Sequence, residues 1–266
     1  MADSAPASIT SDREETKYLV SHHEKRALVA ALNERLPRHR HRGEGENNLP
    51  GPEHFVTTVY FDTPSLAHFR EATRSGDHHV KLRAKEYYDV HPSLAELATD
   101  ADEVLHRSPY VWLELKRRAG SRSQKQRVRL ERRTVPSWLS SAPVPLAADG
   151  DAPAILAYCQ SLTEPLVPSA VVNYRRASWQ SADDSLRVTL DTELAFFEAP
   201  PGLWNLPSLS RSSLGRPRQR ETELLIEIKR HGCALPAWLA RRARLARARA
   251  VPYSKFVRAI ESVRHG

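Results

Sequence analysis

Segment after segment of this chain alternates charged with apolar residues at a period of two. Side chains at i and i+2 share one face of a strand, so each segment predicts a strand with a polar face and an apolar face. In Glu14–Val20, extended back by one residue, Arg13, Glu15 and Lys17 fall together. In His78–Tyr87, Lys81, Arg83 and Lys85 oppose Val80, Leu82 and Ala84. Trp112, Glu114 and Lys116 oppose Leu113 and Leu115, and Lys125, Arg127 and Arg129 alternate with Gln126, Val128 and Leu130. Downstream, Tyr174, Arg176 and Ser178 share a face within Ala170–Trp179. Arg187, Thr189 and Asp191 oppose Val188 and Leu190, and Glu223, Leu225, Glu227 and Lys229 oppose Leu224, Ile226 and Ile228. The β-branched and aromatic run Phe55–Phe61 completes a count of about eight strands.

One such strand would belong to a sheet with a solvated face. Repetition of Lys and Arg on nearly every polar face narrows the choice. Regular spacing predicts an α+β fold, a closed or nearly closed antiparallel barrel of about eight strands with helices outside. The apolar strand faces need cover, and amphipathic helices are predicted at Ser21–Leu36, Pro236–Ala250 and Pro252–Val263. Ser21 and Glu24 have capping-box spacing, and Asp62-Thr63-Pro64 reads as a helix start. Further helices are expected at Pro92–Leu105 and Ala154–Leu162, and loops over Arg38–Pro52, Pro136–Pro153 and Pro200–Arg218. The cations then line the inside, and a cation-lined tunnel needs anionic contents.

Composition agrees. Forty Lys and Arg against 32 Asp and Glu leave a net charge of +8, which suits a polyanionic partner. The 266 residues fit a single domain over 13–266, behind a small, polar and disordered tail over 1–12. No apolar run approaches the roughly 18 residues of a membrane helix, and no signal sequence is evident, so the expected setting is cytoplasmic without membrane insertion. Two cysteines are too few for a disulfide framework or a thiolate zinc site. The histidine pairs read as solvated. The Arg241–Arg249 cluster reads first as a solvated basic face. The strand motifs lack interleaved exposed aromatics for stacking, which argues against a specific nucleic-acid reader.

The runs EETKYLV, TTVYFDT, HHVKLRAKEY, LELKRR, VVNYRRASW, LRVTLDT, LLIEIK and VPYSKF occur in this order. Together they resemble the polyphosphate polymerase (VTC) domain family of the triphosphate tunnel metalloenzyme superfamily, from about Arg13 to Val263. The resemblance implies an antiparallel eight-stranded closed tunnel barrel with flanking helices, whose basic residues hold ATP and a growing chain of inorganic polyphosphate. It assigns substrate binding to Lys17, Lys81, Arg83, Lys116, Arg176, Arg187, Ser254 and Lys255. Of these, Arg83, Lys116, Arg176 and Arg187 take the catalytic part. Glu227 matches the carboxylate that holds Mn²⁺ or Mg²⁺. Glu15 and Glu114 either assist the metal or pair with Lys17 and Lys116, and pairing is the favoured reading.

Two departures bear on activity. Arg13 stands where hydrolytic and cyclase-type tunnel enzymes open with a Glu, and Tyr253 where some members carry a Lys. Coupling to a membrane would require association with a membrane partner protein. The implied reaction is transfer of the γ-phosphate of ATP to polyphosphate. A tunnel triphosphatase and a non-catalytic polyanion-binding module are the alternatives.

Overall fold

A computed structural model describes residues 13–39, 53–76, 78–88, 110–120, 122–140 and 151–265. The expected Pro92–Leu105 helix, the 1–12 tail and most of the Arg38–Pro52 loop lie outside them. Eight long strands form where the sequence predicts them, seven from alternation and β2 from its β-branched run: β1 (Arg13–Ser21), β2 (Glu53–Asp62), β3 (His78–Tyr88), β4 (Tyr110–Ala119), β5 (Arg122–Glu131), β6 (Val167–Gln180), β7 (Leu186–Phe197) and β9 (Glu223–His231). Two-residue strands β8 (Gln219–Arg220) and β10 (Arg249–Ala250) bring the sheet to ten.

Every pairing is antiparallel, in the order β10-β1-β9-β7-β6-β2-β3-β4-β5, with β8 on β7. The sheet is not the closed eight-stranded ring expected. Among the described residues each edge is capped instead of joined. β10 occupies the outer edge of β1 at Tyr18 and Leu19, and Asp151 accepts the Arg127 amide of β5 at 3.0 Å.

The sheet nevertheless curls hard. Five inter-strand steps separate β1 from β3, about 24 Å on a flat sheet. Yet Lys17 of β1 donates to the Tyr253 carbonyl at 2.9 Å, and Lys81 of β3 donates to the Ser254 hydroxyl at 3.2 Å. Lysines from distant strands thus meet at adjacent residues across a concave face.

The convex face is apolar, as alternation requires, and two groups of elements cover it. Val59, Leu82, Leu113, Leu115 and Val128 lie under α3 (Val135–Leu139), α4 (Ala152–Gln160) and Leu203, Leu209 and Leu214 of the 200–218 connection. Val188, Leu190, Leu224, Ile226 and Ile228 lie under Leu28 and Leu32 of α1 (Lys25–Arg35) and Leu239 of α5 (Ala237–Leu245).

Several boundaries differ from expectation for visible reasons. Ser21 accepts the His23 amide instead of that of Glu24, so a 3₁₀ turn precedes α1. The basic helix stops at Leu245, because Arg247 turns into the left-handed region at φ 48° and sends the chain into β10. Helix α2 (Ala67–Arg74) begins three residues after Pro64, and the buried Asp62 carboxylate accepts the amides of His68 and Phe69, both at 2.9 Å.

Helices were expected only outside the barrel. Instead α6 (Lys255–His265) packs on the concave face. Its Phe256, Ala259 and Ile260, at helical spacing, meet Val56, Tyr60, Val172, Tyr174 and Leu225. The Phe256 and Tyr60 ring centroids are 5.3 Å apart. The concave side is therefore part apolar floor and part charged wall.

Candidate functional site in the concave face

Strand register decides which side chains share the wall. Lys81, Arg83 and Lys85 of β3 lie opposite Lys116, Glu114 and Trp112 of β4, and the first two of these lie opposite Lys125 and Arg127 of β5. On the other flank, Arg176 of β6 lies opposite Asp191 of β7, Thr189 and Arg187 opposite Glu227 and Lys229 of β9, and those two opposite Lys17 and Glu15 of β1. Lys255, at the first turn of α6, reaches Asp191 at 2.6 Å. All of Lys17, Lys81, Arg83, Lys116, Arg176, Arg187, Glu227, Ser254 and Lys255 are thus gathered at one concave surface.

The wall separates into two kinds of cation. Arginines are held by buried carboxylates. Glu114 receives Arg83 Nε at 2.9 Å and Nη2 at 2.8 Å, with Lys85 at 3.5 Å. Asp191 takes Arg176 Nε at 2.6 Å and Nη2 at 2.7 Å in a bidentate fork. Burial works against both carboxylate charges, yet the cations around each hold its pKa below the ordinary value. The same carboxylates raise the Arg83 and Arg176 pKa values against burial.

The lysines differ. Among the described residues no carboxylate lies within ion-pair distance of Lys81 or Lys116. Burial, together with the charges of Lys17, Lys116 and Arg83, pushes Lys81 down to about 7. Burial, with Arg83 and Lys229 nearby, brings Lys116 down to about 8 despite Glu15 and Glu227. Lys85 falls well below the ordinary lysine value, through burial and Arg83, against the pull of Glu114. The wall holds more positive charge than its own carboxylates neutralise.

One acidic pair stands apart. Lys229 bridges Glu227 at 2.8 Å and Glu15 at 3.6 Å, and Lys17 joins Glu15 at 2.9 Å. Glu227 is buried, and Lys229, Lys17, Arg176 and Lys255 overcome the burial cost and keep it ionised. No group of three or more His, Cys, Asp or Glu side chains suited to a metal occurs among the described residues. Two neighbouring ionised carboxylates still fit a hard divalent cation of the kind that completes its shell with substrate phosphates and water.

The favoured pairing of Glu15 with Lys17 is present. Glu114 pairs with Arg83 and Lys85, not with Lys116, because Arg83 lies directly across the strand pair whereas Lys116 is a full i+2 step away. Motif matching passed over Asp191, Lys229 and Lys85, although the same alternation marks all three as wall residues. His79, expected to be solvated, is buried on the same face of β3 as Lys81, one i+2 step before it; burial and Lys81 lower its pKa to about 4.

The family model for the VTC domain matches residues 12–264. The chain belongs to the VTC-domain family. Similar solved structures include an adenylate cyclase candidate from Bacillus halodurans, 16% identical over 93% of this chain and 97% of that one, with a TM-score of 0.50. An adenylyl cyclase candidate from Hippeastrum, described as having a dominant triphosphatase activity, is 13% identical over 94% and 95% of the two chains, with a TM-score of 0.49. The first likeness shows that this VTC domain shares its fold with that protein. No curated protein sequence matches the chain. No described helix of this VTC domain is long and apolar enough to cross a membrane.

Proposed function

We propose that this VTC domain is a metal-dependent polyphosphate polymerase, transferring the γ-phosphate of ATP to a growing inorganic polyphosphate chain along its basic concave wall. The observation that carries the reading is the unmatched lysine charge. Lys81 and Lys116 are depressed by burial and by other cations, a state that a bound polyphosphate relieves.

Phosphoryl transfer depends on positioning and charge neutralisation more than on covalent help. The attacking terminal phosphate oxygen is already ionised at neutral pH, so the step requires no general base. Asp191 and Glu114 fix the Arg176 and Arg83 guanidiniums through Nε and Nη2, so that each can clamp phosphate oxygens from a set position. Arg187 serves as a third clamp. Lys17, Lys81 and Lys116 act as point charges, and Ser254 and Lys255 complete the wall at the start of α6. Glu227, with Glu15 beside it, is the residue to hold Mg²⁺ or Mn²⁺, whose chemistry is to neutralise charge shared by the β- and γ-phosphates.

A second reading has its own support. The same clamps and the Glu227 carboxylate would hold a triphosphate for attack by water as readily as for attack by a phosphate oxygen, so the wall suits a hydrolytic triphosphatase too. One assay separates the two. Purified protein with ATP and Mn²⁺ or Mg²⁺ should yield ADP together with long-chain polyphosphate. Release of orthophosphate without chain growth would favour hydrolysis, and no metal-dependent turnover with any nucleotide would leave a polyanion-binding module.

A further inference from the structure

The wall residues used above leave one end of β4 and β5 unexplained. Past Glu114 the same face of β4 continues as Trp112 and Tyr110, and that of β5 as Arg127 and Arg129. The two rows interlock diagonally. The Arg127 guanidinium lies 4.5 Å from the Trp112 ring centroid, and that of Arg129 lies 4.2 Å from the Tyr110 ring centroid. Trp112 is half-buried, and Tyr110 is 37% exposed, one of three exposed large hydrophobic residues among those described, so β4 does carry the accessible aromatics that the strand motifs were expected to lack. A phosphate chain needs cations but has no use for aromatic faces. Flat rings backed by guanidinium planes are the surface on which a heterocyclic base stacks.

Spacing along β4 agrees. Lys116 lies four positions along β4 from Trp112, about 13 Å of strand, with Glu114 and its Arg83 and Lys85 partners between them. A triphosphate lying against Lys116 and Arg83 would extend its ribose toward Trp112. We propose that Trp112 and Tyr110, backed by Arg127 and Arg129, form the subsite that stacks the base of the donor nucleoside triphosphate. This inference rests on the reading of the wall as a triphosphate site. Stacking uses the π-face common to all bases, so the subsite distinguishes nucleotide from bare phosphate chain without strongly selecting one base.

The test compares ATP with inorganic tripolyphosphate by titration calorimetry on the full chain. Trp112→Leu keeps an apolar side chain but removes the ring, Trp112→Phe restores a ring, and Tyr110→Ala removes the more exposed partner. Trp112→Leu should weaken ATP binding by roughly 5- to 150-fold, the equivalent of one lost base stack. Trp112→Phe should recover most of it, Tyr110→Ala should show a smaller loss, and tripolyphosphate affinity should stay constant throughout. Constant tripolyphosphate affinity also reports an intact fold. If ATP and tripolyphosphate weaken together, or ATP affinity does not change, the base subsite is wrong while the wall reading stands. If the unmodified protein binds neither ligand, both fail.

Discussion

Arg83 and Arg176 on one hand and Lys81 and Lys116 on the other carry the same charge in the same concave wall, and the fold treats the two pairs in opposite ways. Arg83 and Arg176 each have a buried carboxylate, supplied by Glu114 and Asp191. Their charge is neutralised within the protein and their orientation is fixed. Lys81 and Lys116 have no such partner among the described residues, and their proton affinity is depressed. A guanidinium offers a rigid planar fork that one carboxylate can aim, whereas an ammonium is a mobile point charge. The arginines thus form a preset frame. The lysines hold the charge that a polyanion would complete.

The largest expected effect falls on the acidic side of this contrast. Glu227→Gln keeps the shape and removes the charge suited to a divalent cation. Turnover at saturating Mn²⁺ should drop about 10³-fold or more, the scale seen when a charge-neutralising group is lost from a phosphoryl-transfer site. Tripolyphosphate should bind as well as before or tighter, since a nearby negative charge has gone. Equal turnover and equal affinity in variant and parent would remove Glu227 from the metal role.

Next comes the frame itself. Asp191→Asn leaves Arg176 and Lys255 without their shared buried carboxylate, and breaking a buried pair in this way costs about 3–5 kcal/mol of stability. Denaturant melts should show the loss, and tripolyphosphate should restore part of it by replacing the missing anion. A variant as stable as the parent would show that the arginines need no internal anchor. Arg187→Ala should have a smaller effect, about 10²- to 10³-fold on turnover, corresponding to roughly 2–4 kcal/mol. Its melting temperature should not fall, because it leaves one cation fewer on a crowded wall. Unchanged turnover would refute the clamp.

The period-two pattern made most of this wall legible in advance. It placed seven of the eight long strands, the β-branched run Phe55–Phe61 marking the other, and put Lys81, Arg83 and Lys116 on one face from local spacing alone. Closure was not legible, because it depends on edges. The two-residue strand β10 and the Asp151 carboxylate cap those edges through contacts distant in sequence. Helix α6 was found as a helix and misplaced, since its Phe256–Ala259–Ile260 stripe reads the same against either face of a sheet. The split between anchored arginines and unanchored lysines was equally hidden. Alternation states which face a side chain takes, while the choice of Glu114 for Arg83 over Lys116 is set by cross-strand register.

The smallest effect probes the lysine side of the contrast directly. Lys81 sits at about 7 in the folded protein against 10.5 for an ordinary lysine. Between those two values the unfolded chain binds more protons than the folded one, so the stability of the empty domain should rise with pH across that window. Below about 7 the amine is charged in both states and the crowding penalty is fully present. A bound tripolyphosphate neutralises the neighbourhood and returns the Lys81 pKa toward its ordinary value, which should flatten the slope. Binding at pH 8 should then take up protons, which calorimetry in buffers of different ionisation enthalpy can measure. Lys81→Met should also reduce the slope without ligand, leaving the part due to Lys116 and Lys85, and raise the melting temperature by a few degrees near pH 7. A parent protein whose melting temperature is level from pH 7 to 10, or whose slope is unchanged by Lys81→Met, would show that Lys81 is as well neutralised as the arginines. The distinction between frame and receptive charge would then fall.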